Sequence, residues 1–313
     1  MQVFQNLLQI TAPLFLLVLI GYGLSAWARW PTAVSDALTR FVFAVAVPTL
    51  LFRMMSDFSH LPHTDARLLI VFFGSCLIVF VLGRVVGRYV FRMDGVSQSV
   101  FAVAGIFSNN VLLGVPLAKL TLGDASIPAV SLVLVFNALL LWTLVSVSIE
   151  WAKNRSTSLL GLAKTAKGVI ANPIVAGILG GTAFGFTGLP LPGVIDHTLE
   201  MVSHAAVPLS LIALGMGLAE FGIREGWRES VAMCVLKLAI QPLVVYLLAR
   251  ALTLPPLETR VVVMLASLPV GANVYLMSRE FNTLGGAVAS SLVLSTAMAA
   301  ATTPLVLALL GAG

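Results

Sequence analysis

Ten apolar stretches, each closed off by charges or by Pro, Gly and Asp clusters, follow one another along the whole chain. A helix needs about 20 mostly apolar residues to cross the hydrocarbon core of a bilayer. The stretches lie at about 8–29, 37–56, 67–91, 97–119, 127–151, 163–188, 194–219, 229–250, 259–279 and 285–310, and we number them spans 1 to 10. Composition agrees with this division: 59% of the 313 residues are hydrophobic and 10% are charged. A soluble domain carries about 25% charged residues. Eighteen Lys+Arg and thirteen Asp+Glu cannot solvate a particle of this size. A cytosolic or secreted enzyme is excluded, as is a disordered or fibrous chain. What remains is an all-α integral membrane protein.

The net charge of +5 is read in that light. In a membrane protein a basic excess reflects the bias of Lys and Arg toward cytoplasmic loops, so no nucleic acid is implied. No basic residue precedes the first apolar run, and the first arginine is Arg29. A cleavable leader needs a basic start and a small-residue cleavage site, so residues 1–30 are expected to stay as the first span. Ten spans place both termini on one side. With the N-terminus outside, cytoplasmic loops collect twelve basic residues (Arg29, Arg40, Arg84, Arg88, Arg92, Lys153, Arg155, Lys164, Lys167, Arg224, Arg228, Arg279). The outer side collects five, Arg53, Arg67, Lys119, Arg250 and Arg260. The expectation is a multi-pass protein with both termini on the outer, periplasmic side.

Two strings recur half a chain apart. Ala46-Val47-Pro48 in span 2 returns as Ala206-Val207-Pro208 in span 7, and Thr121-Leu122-Gly123 with Ala125 returns as Thr283-Leu284-Gly285 with Ala287. The offsets, 160 and 162, point to a duplication into residues 1–155 and 156–313, five spans each. An odd number of crossings makes the second copy enter from the opposite face, which gives an inverted repeat of the kind found in secondary transporters. The charged connection at 150–168 is the natural midpoint.

In such folds the substrate sits near the midplane, where interrupted helices of the two halves meet. Span 4 carries Ser108, Asn109 and Asn110 in mid-span, followed by Gly114 and Pro116. Span 9 carries Ser267, Pro269, Gly271 and Asn273 at similar depth. Proline removes a backbone donor and clashes with the carbonyl four residues back. Unwound backbone is tolerated at membrane depth only inside protein or along a cavity. Half-helix N-termini suit an anion, and Asn adds donors without a full buried charge. The bland alternative is ordinary kinks and interhelical glue. Pro48 and Pro208 are expected to kink scaffold helices.

Asn137 in span 5 supports the crossing or makes a plain interhelical bond, and Ser290, Ser295 and Thr296 are expected to bond backbone carbonyls. Lys237 lies about nine residues, or about 13 Å of rise, into span 8. A charge there is a functional hypothesis by default: it binds a coupling proton, supplies positive charge where a related carrier would hold sodium, or snorkels. Arg53 and Lys119 anchor the outer ends of spans 2 and 4 or attract an anion. Cys76 and Cys234 read as small buried hydrophobes, and His60, His63, His197 and His204 form no ligand motif. No phosphate-binding loop, zinc-binding helix or nucleophile elbow is present, so no cofactor, metal or enzymatic chemistry is expected.

The segments SNNVLLGVPLAKLTLGD (108–124), NPIVAGILGG (172–181), AVPLSLIALGMGL (206–218) and SLPVGANVYLMSREFN (267–282) resemble the auxin efflux carrier family, with its plant members and many bacterial relatives. The resemblance covers essentially the whole chain. It implies a fold akin to bile-acid/sodium symporters and sodium/proton antiporters, with spans 1, 2, 6 and 7 as scaffold and spans 3–5 and 8–10 as a mobile transport domain. It further implies that Asn109 and its neighbours, with Pro269 and Asn273, hold a carboxylate at the crossing. Plant members carry a proline immediately before the span 4 asparagine, where this chain has Ser108, and they vary at the position of Asn273. A long cytoplasmic loop of many plant members is missing, which suits a compact bacterial inner-membrane protein. The resulting expectation is elevator-type secondary transport of a small organic anion, malonate or another dicarboxylate first among the candidates. Protons are the expected coupling ion, and a homodimer through the scaffold the expected assembly. Sodium symport of the bile-acid type and a passive anion channel are the alternatives.

Overall fold

The computed structural model describes residues 2–56, 64–154, 173–221 and 226–311. Among them the chain forms twelve helices: α1 (Gln2–Ala26), α2 (Thr32–Ser56), α3 (Arg67–Tyr89), α4 (Gly95–Ala104), α5 (Asn110–Leu122), α6 (Ile127–Asn154), α7 (Pro173–Gly185), α8 (Gly193–Phe221), α9 (Trp227–Ala251), α10 (Pro256–Ala266), α11 (Asn273–Glu280) and α12 (Gly285–Leu309). Five of these, α2, α3, α8 (over Gly193–Ala219), α9 and α12, are long and apolar enough to cross a bilayer. Shorter apolar helices accompany them. Span 4 is two helices, α4 and α5, and span 9 is likewise α10 and α11. Span 2 begins at Thr32 rather than 37, which brings Ser35 and Asp36 into its first turns. Arg155, Lys164, Lys167, His60, His63 and Arg224 lie outside the described residues.

Local sequence explains where the helices start and bend. Asp94 caps α4, its carboxylate accepting from the backbone N–H groups of Val96 (2.9 Å) and Ser97 (3.1 Å). Three π-turns occur among the described residues, Val42–Ala46 in α2, Asn110–Gly114 in α5 and Leu236–Ile240 in α9. Each ends two residues before a proline: Pro48, Pro116 and Pro242. The ring would strike the carbonyl four residues back and offers it no N–H, so the preceding turn widens. Pro208 behaves otherwise: α8 runs through it as uninterrupted α-helix, and the π-turn found beside Pro48 has no counterpart there.

Backbones in two helix pairs come together at glycine. A Cβ on Gly21 of α1 would stand 2.1 Å from the carbonyl oxygen of Ile212 in α8, and one on Gly181 of α7 would stand 2.4 Å from that of Phe52 in α2. Gly215 of α8 faces Val18 of α1 more closely still, at 1.9 Å. Small residues let membrane helices approach until backbones touch, which is how helices associate where lipid removes the hydrophobic drive. Both the glycines (21 and 181) and the residues they meet (212 and 52) are separated by 160 positions. Around these pairs, α2 also packs on α8, whereas α3 packs on α4 and α9, α6 on α4, and α12 on α9. The two groups touch where α1 and α8 meet α5 and α12, and where α2 and α7 meet α6.

Candidate functional site

The breaks in spans 4 and 9 meet inside the molecule. Ser108 and Val270 pair as an isolated antiparallel bridge. Asn109 N–H donates to the Pro269 carbonyl (3.0 Å), and Gly271 N–H donates to the Phe107 carbonyl (2.8 Å). Adding 162 to one bond gives the other: 109 becomes 271 and 107 becomes 269. A Cβ on Gly271 would lie 2.9 Å from the Ser108 carbonyl oxygen, so the crossing needs glycine there.

A peptide group left unpaired in a dry interior costs about 1–3 kcal/mol, so the partners of the unwound residues matter. Those partners come from every side. Ala266 carbonyl accepts from Lys237 Nζ (2.5 Å), and Ile106 carbonyl accepts from Gln241 Nε2 (3.1 Å). Ser267 carbonyl accepts from the Thr303 hydroxyl (3.0 Å), while Val270 N–H donates to Ser295 Oγ (3.0 Å). Ser108 carbonyl accepts from Asn110 N–H (2.8 Å), and Asn109 carbonyl from Gly114 N–H (3.1 Å). The backbone of the crossing is thus well satisfied.

The side chains are not. Six buried side-chain polar atoms among the described residues have no hydrogen-bond partner: Gln241 Oε1 lies beneath the crossing, and three sit in it, Ser108 Oγ, Asn109 Nδ2 and Asn110 Oδ1. Their residues are 2%, 6% and 2% exposed. Asn110 Nδ2 makes only a long bond to Asn137 Oδ1, 3.4 Å.

These groups face a cavity of about 430 Å³. Its inner wall is Phe107–Leu112, Asn137 and Val270–Asn273, with Tyr275 and Thr296. From there it runs along Ala213–Leu218 of α8 to Phe43, Thr39, Asp36 and Ser35 in the first turns of α2, where Asp36 is exposed. Helices α5 and α11 both start at the inner wall, so two positive dipole ends lie there. Volumes of 300–1,000 Å³ with a few convergent polar groups are typical of small-molecule sites.

Of the residues singled out by sequence, Ser108, Asn109, Asn110, Asn137, Gly271 and Asn273 line the cavity. Gly114, Pro116, Pro269 and Lys237 stand outside its wall. A Cβ on Gly114 would lie 2.9 Å from the Leu268 side chain, so Gly114 lets α5 close on the end of α10. Pro116 widens α5, Pro269 presents its carbonyl to Asn109, and Lys237 is wholly buried beneath α10. Thr296 Oγ1 bonds the Leu292 carbonyl (2.7 Å) as expected of it, yet also reaches the cavity. Ser35, Asp36, Thr39 and Phe43, which also line the cavity, are not among the residues that the sequence singles out. Their spacing, one face of a helix, was a legible signal once span 2 starts at Thr32.

Arg53, expected at an outer helix end, has ordinary partners. Arg53 Nε donates to Asp196 (2.7 Å) and its Nη2 lies 3.6 Å from Glu200. With Lys119 and Asp124, this pair borders a separate cavity of about 390 Å³. Cys76 and Cys234 are buried free thiols. Among the described residues no three His, Cys, Asp or Glu gather where they could hold a metal ion.

Comparison with known proteins gives the family. The family described as "Membrane transport protein" matches residues 7–307. A "Putative malonate transporter" of Rhizobium meliloti (strain 1021) is 24% identical over 306 residues, covering 96% of this chain and 95% of its own. An "Uncharacterized transporter" of Methanocaldococcus jannaschii is 24% identical over 296 residues, 90% of this chain and 91% of its own. Another, of Methanothermobacter thermautotrophicus, is 24% identical over 308 residues, 97% and 98% of the two chains. The match runs through every helix described above, and the chain belongs to the membrane transport protein family, of the auxin efflux carrier type, as a multi-pass membrane protein.

Proposed function

We propose that the protein is a secondary transporter of a small organic anion, a carboxylate such as malonate or another dicarboxylate, working by alternating access around the crossing of α4/α5 and α10/α11. One observation carries the reading: Ser108 Oγ and Asn109 Nδ2, both donors, are buried without partners in a cavity wall where two helices begin. A carboxylate supplies the acceptors that these donors lack, and the helix starts favour its charge. The malonate relative, similar over nearly its full length, supports that class of substrate.

The reading takes the chain as ten spans in two inverted five-helix repeats. Its support is the exchange of the two crossing bonds by 162 positions and of the two glycine contacts by 160. Helices α1, α2, α7 and α8, joined backbone to backbone, act as the scaffold, and α3–α6 with α9–α12 as the transport domain. The cavity reaches Asp36, on the side that the Lys and Arg count makes cytoplasmic, so this conformation is the inward-open one.

Uptake of labelled malonate into proteoliposomes tests the proposal. Saturable flux with counterflow is expected. Asn109→Ala and Asn273→Ala are expected to cut it at least about tenfold, the worth of a hydrogen bond to a charged group. Flux that does not saturate, or that survives both substitutions, overturns it.

A further inference from the structure

Helix α9 sends two polar side chains under the crossing. Lys237 and Gln241 are both 0% exposed, and the π-turn Leu236–Ile240 lies between α9's first turns and Gln241. Lys237 Nζ meets Ala266, the last residue of α10. Gln241 Nε2 meets Ile106, just past the end of α4. The two donors therefore close the carbonyl ends of both leading half-helices, one each. These are the ends at which helix dipoles are negative and at which unwound carbonyls commonly seat a sodium ion in carriers with broken helices. Among the described residues no carboxylate lies within ion-pair distance of Lys237, whose hydrogen-bond partner is the carbonyl end itself and whose other electrostatic neighbour is the buried Cys76 thiol.

We infer that Lys237 is a tethered cation in place of a bound one, and that with Gln241 it positions the two half-helices so that the anion site is complete without sodium. The inference rests on the anion reading above for its substrate but not for its test of the cap. Lys237 is a positioning residue, since it stands outside the cavity wall and acts through the backbone that carries Ser108–Asn110 and Gly271–Asn273. The helix equivalent in the other half, α3, offers no matching charge: Ser75 bonds the Phe72 carbonyl, and the neutral Cys76 thiol receives Gln241. One half supplies the cap for both.

Thermal unfolding of the purified protein, with and without malonate, in sodium chloride against choline chloride at equal ionic strength, decides the matter. In the unsubstituted protein, both the ligand-free melting temperature and the malonate midpoint are expected to be the same in the two salts. Lys237→Ser, which leaves room for an ion, is expected to melt lower in choline and to regain stability and malonate affinity in sodium. Lys237→Met, which fills the space without charge, is expected to lose malonate affinity about tenfold in either salt. A sodium requirement in the unsubstituted protein overturns the inference, and that measurement needs no variant to fold. So does a Lys237→Ser protein indifferent to sodium, or a Lys237→Met protein with unchanged affinity. If no carboxylate shifts the unsubstituted protein, the anion reading fails, while the ligand-free melting temperatures still judge the cap.

Discussion

At the residue scale, the cavity mixes one exposed carboxylate with buried neutral donors. Asp36 stands at the mouth and Ser108 and Asn109 at the inner wall. A carboxylate at the entrance repels an arriving dianion, an effect that salt screens beyond about 8 Å at physiological ionic strength. Asp36→Asn is therefore expected to raise the apparent malonate affinity at low salt, with the gain vanishing at high salt. Flux titrations at two ionic strengths check it, and a loss of affinity would make Asp36 a ligand rather than a gatepost. The inner-wall residues were legible because carboxamides in an apolar run have few other uses. Asp36 was not, since a polar residue ahead of an apolar run looks the same whether it is loop or first turn. Gln241 was hidden for a different reason: its role depends on meeting Ile106, 135 positions away, and no periodicity encodes that.

At the scale of elements, proline and cap residues decide where helices stop being regular. Asp94 holds the start of α4, and its carboxyl lies below the usual carboxylate range because of the Ser97 hydroxyl (2.7 Å) and then the backbone N–H groups of Ser97 and Val96. A depressed folded-state value means stability that is present above the unfolded carboxylate's range and lost as pH falls through the folded one. Asp94→Ala is expected to cost about 1 kcal/mol at neutral pH. The difference from the unsubstituted protein should shrink in acid, below about pH 4. Melting curves across pH 3–8 check both parts. An undiminished difference in acid would exclude the carboxylate as the cause. The break in span 9 was foreseeable, as Pro269 cannot continue a ladder, whereas Pro116 sits inside α5, downstream of the break in span 4. That Pro208 leaves α8 regular was not: the same Ala-Val-Pro string widens α2 at Pro48 and not α8. Sequence alone therefore does not set the local response to proline here.

At the scale of the whole molecule, Gly21 and Gly181 hold equivalent places, each pressed on a carbonyl of the partner helix. Leucine at either position must push two helices apart, and overpacking of this kind costs about 1–3 kcal/mol or more. Gly21→Leu and Gly181→Leu are expected to lower the melting temperature by similar amounts, while Gly193→Leu, with open space around it, changes little. Unequal losses at the first two would count against equivalence of the halves. The apolar runs marked the helices, five of which are long and apolar enough to cross a bilayer, but the pairing of α1 with α8 and of α2 with α7 was not readable, because α1, α7 and α8 are apolar on nearly every side and carry no stripe to say which face is inward. These glycine seams have a mechanical consequence. With carbonyl oxygens lying where side chains would begin, the joint holds no layer of rotamers that can reshuffle, and close-packed backbone is nearly incompressible. Within each of the two dovetailed pairs, α1 with α8 and α2 with α7, neither helix can slide far without prising the seam open.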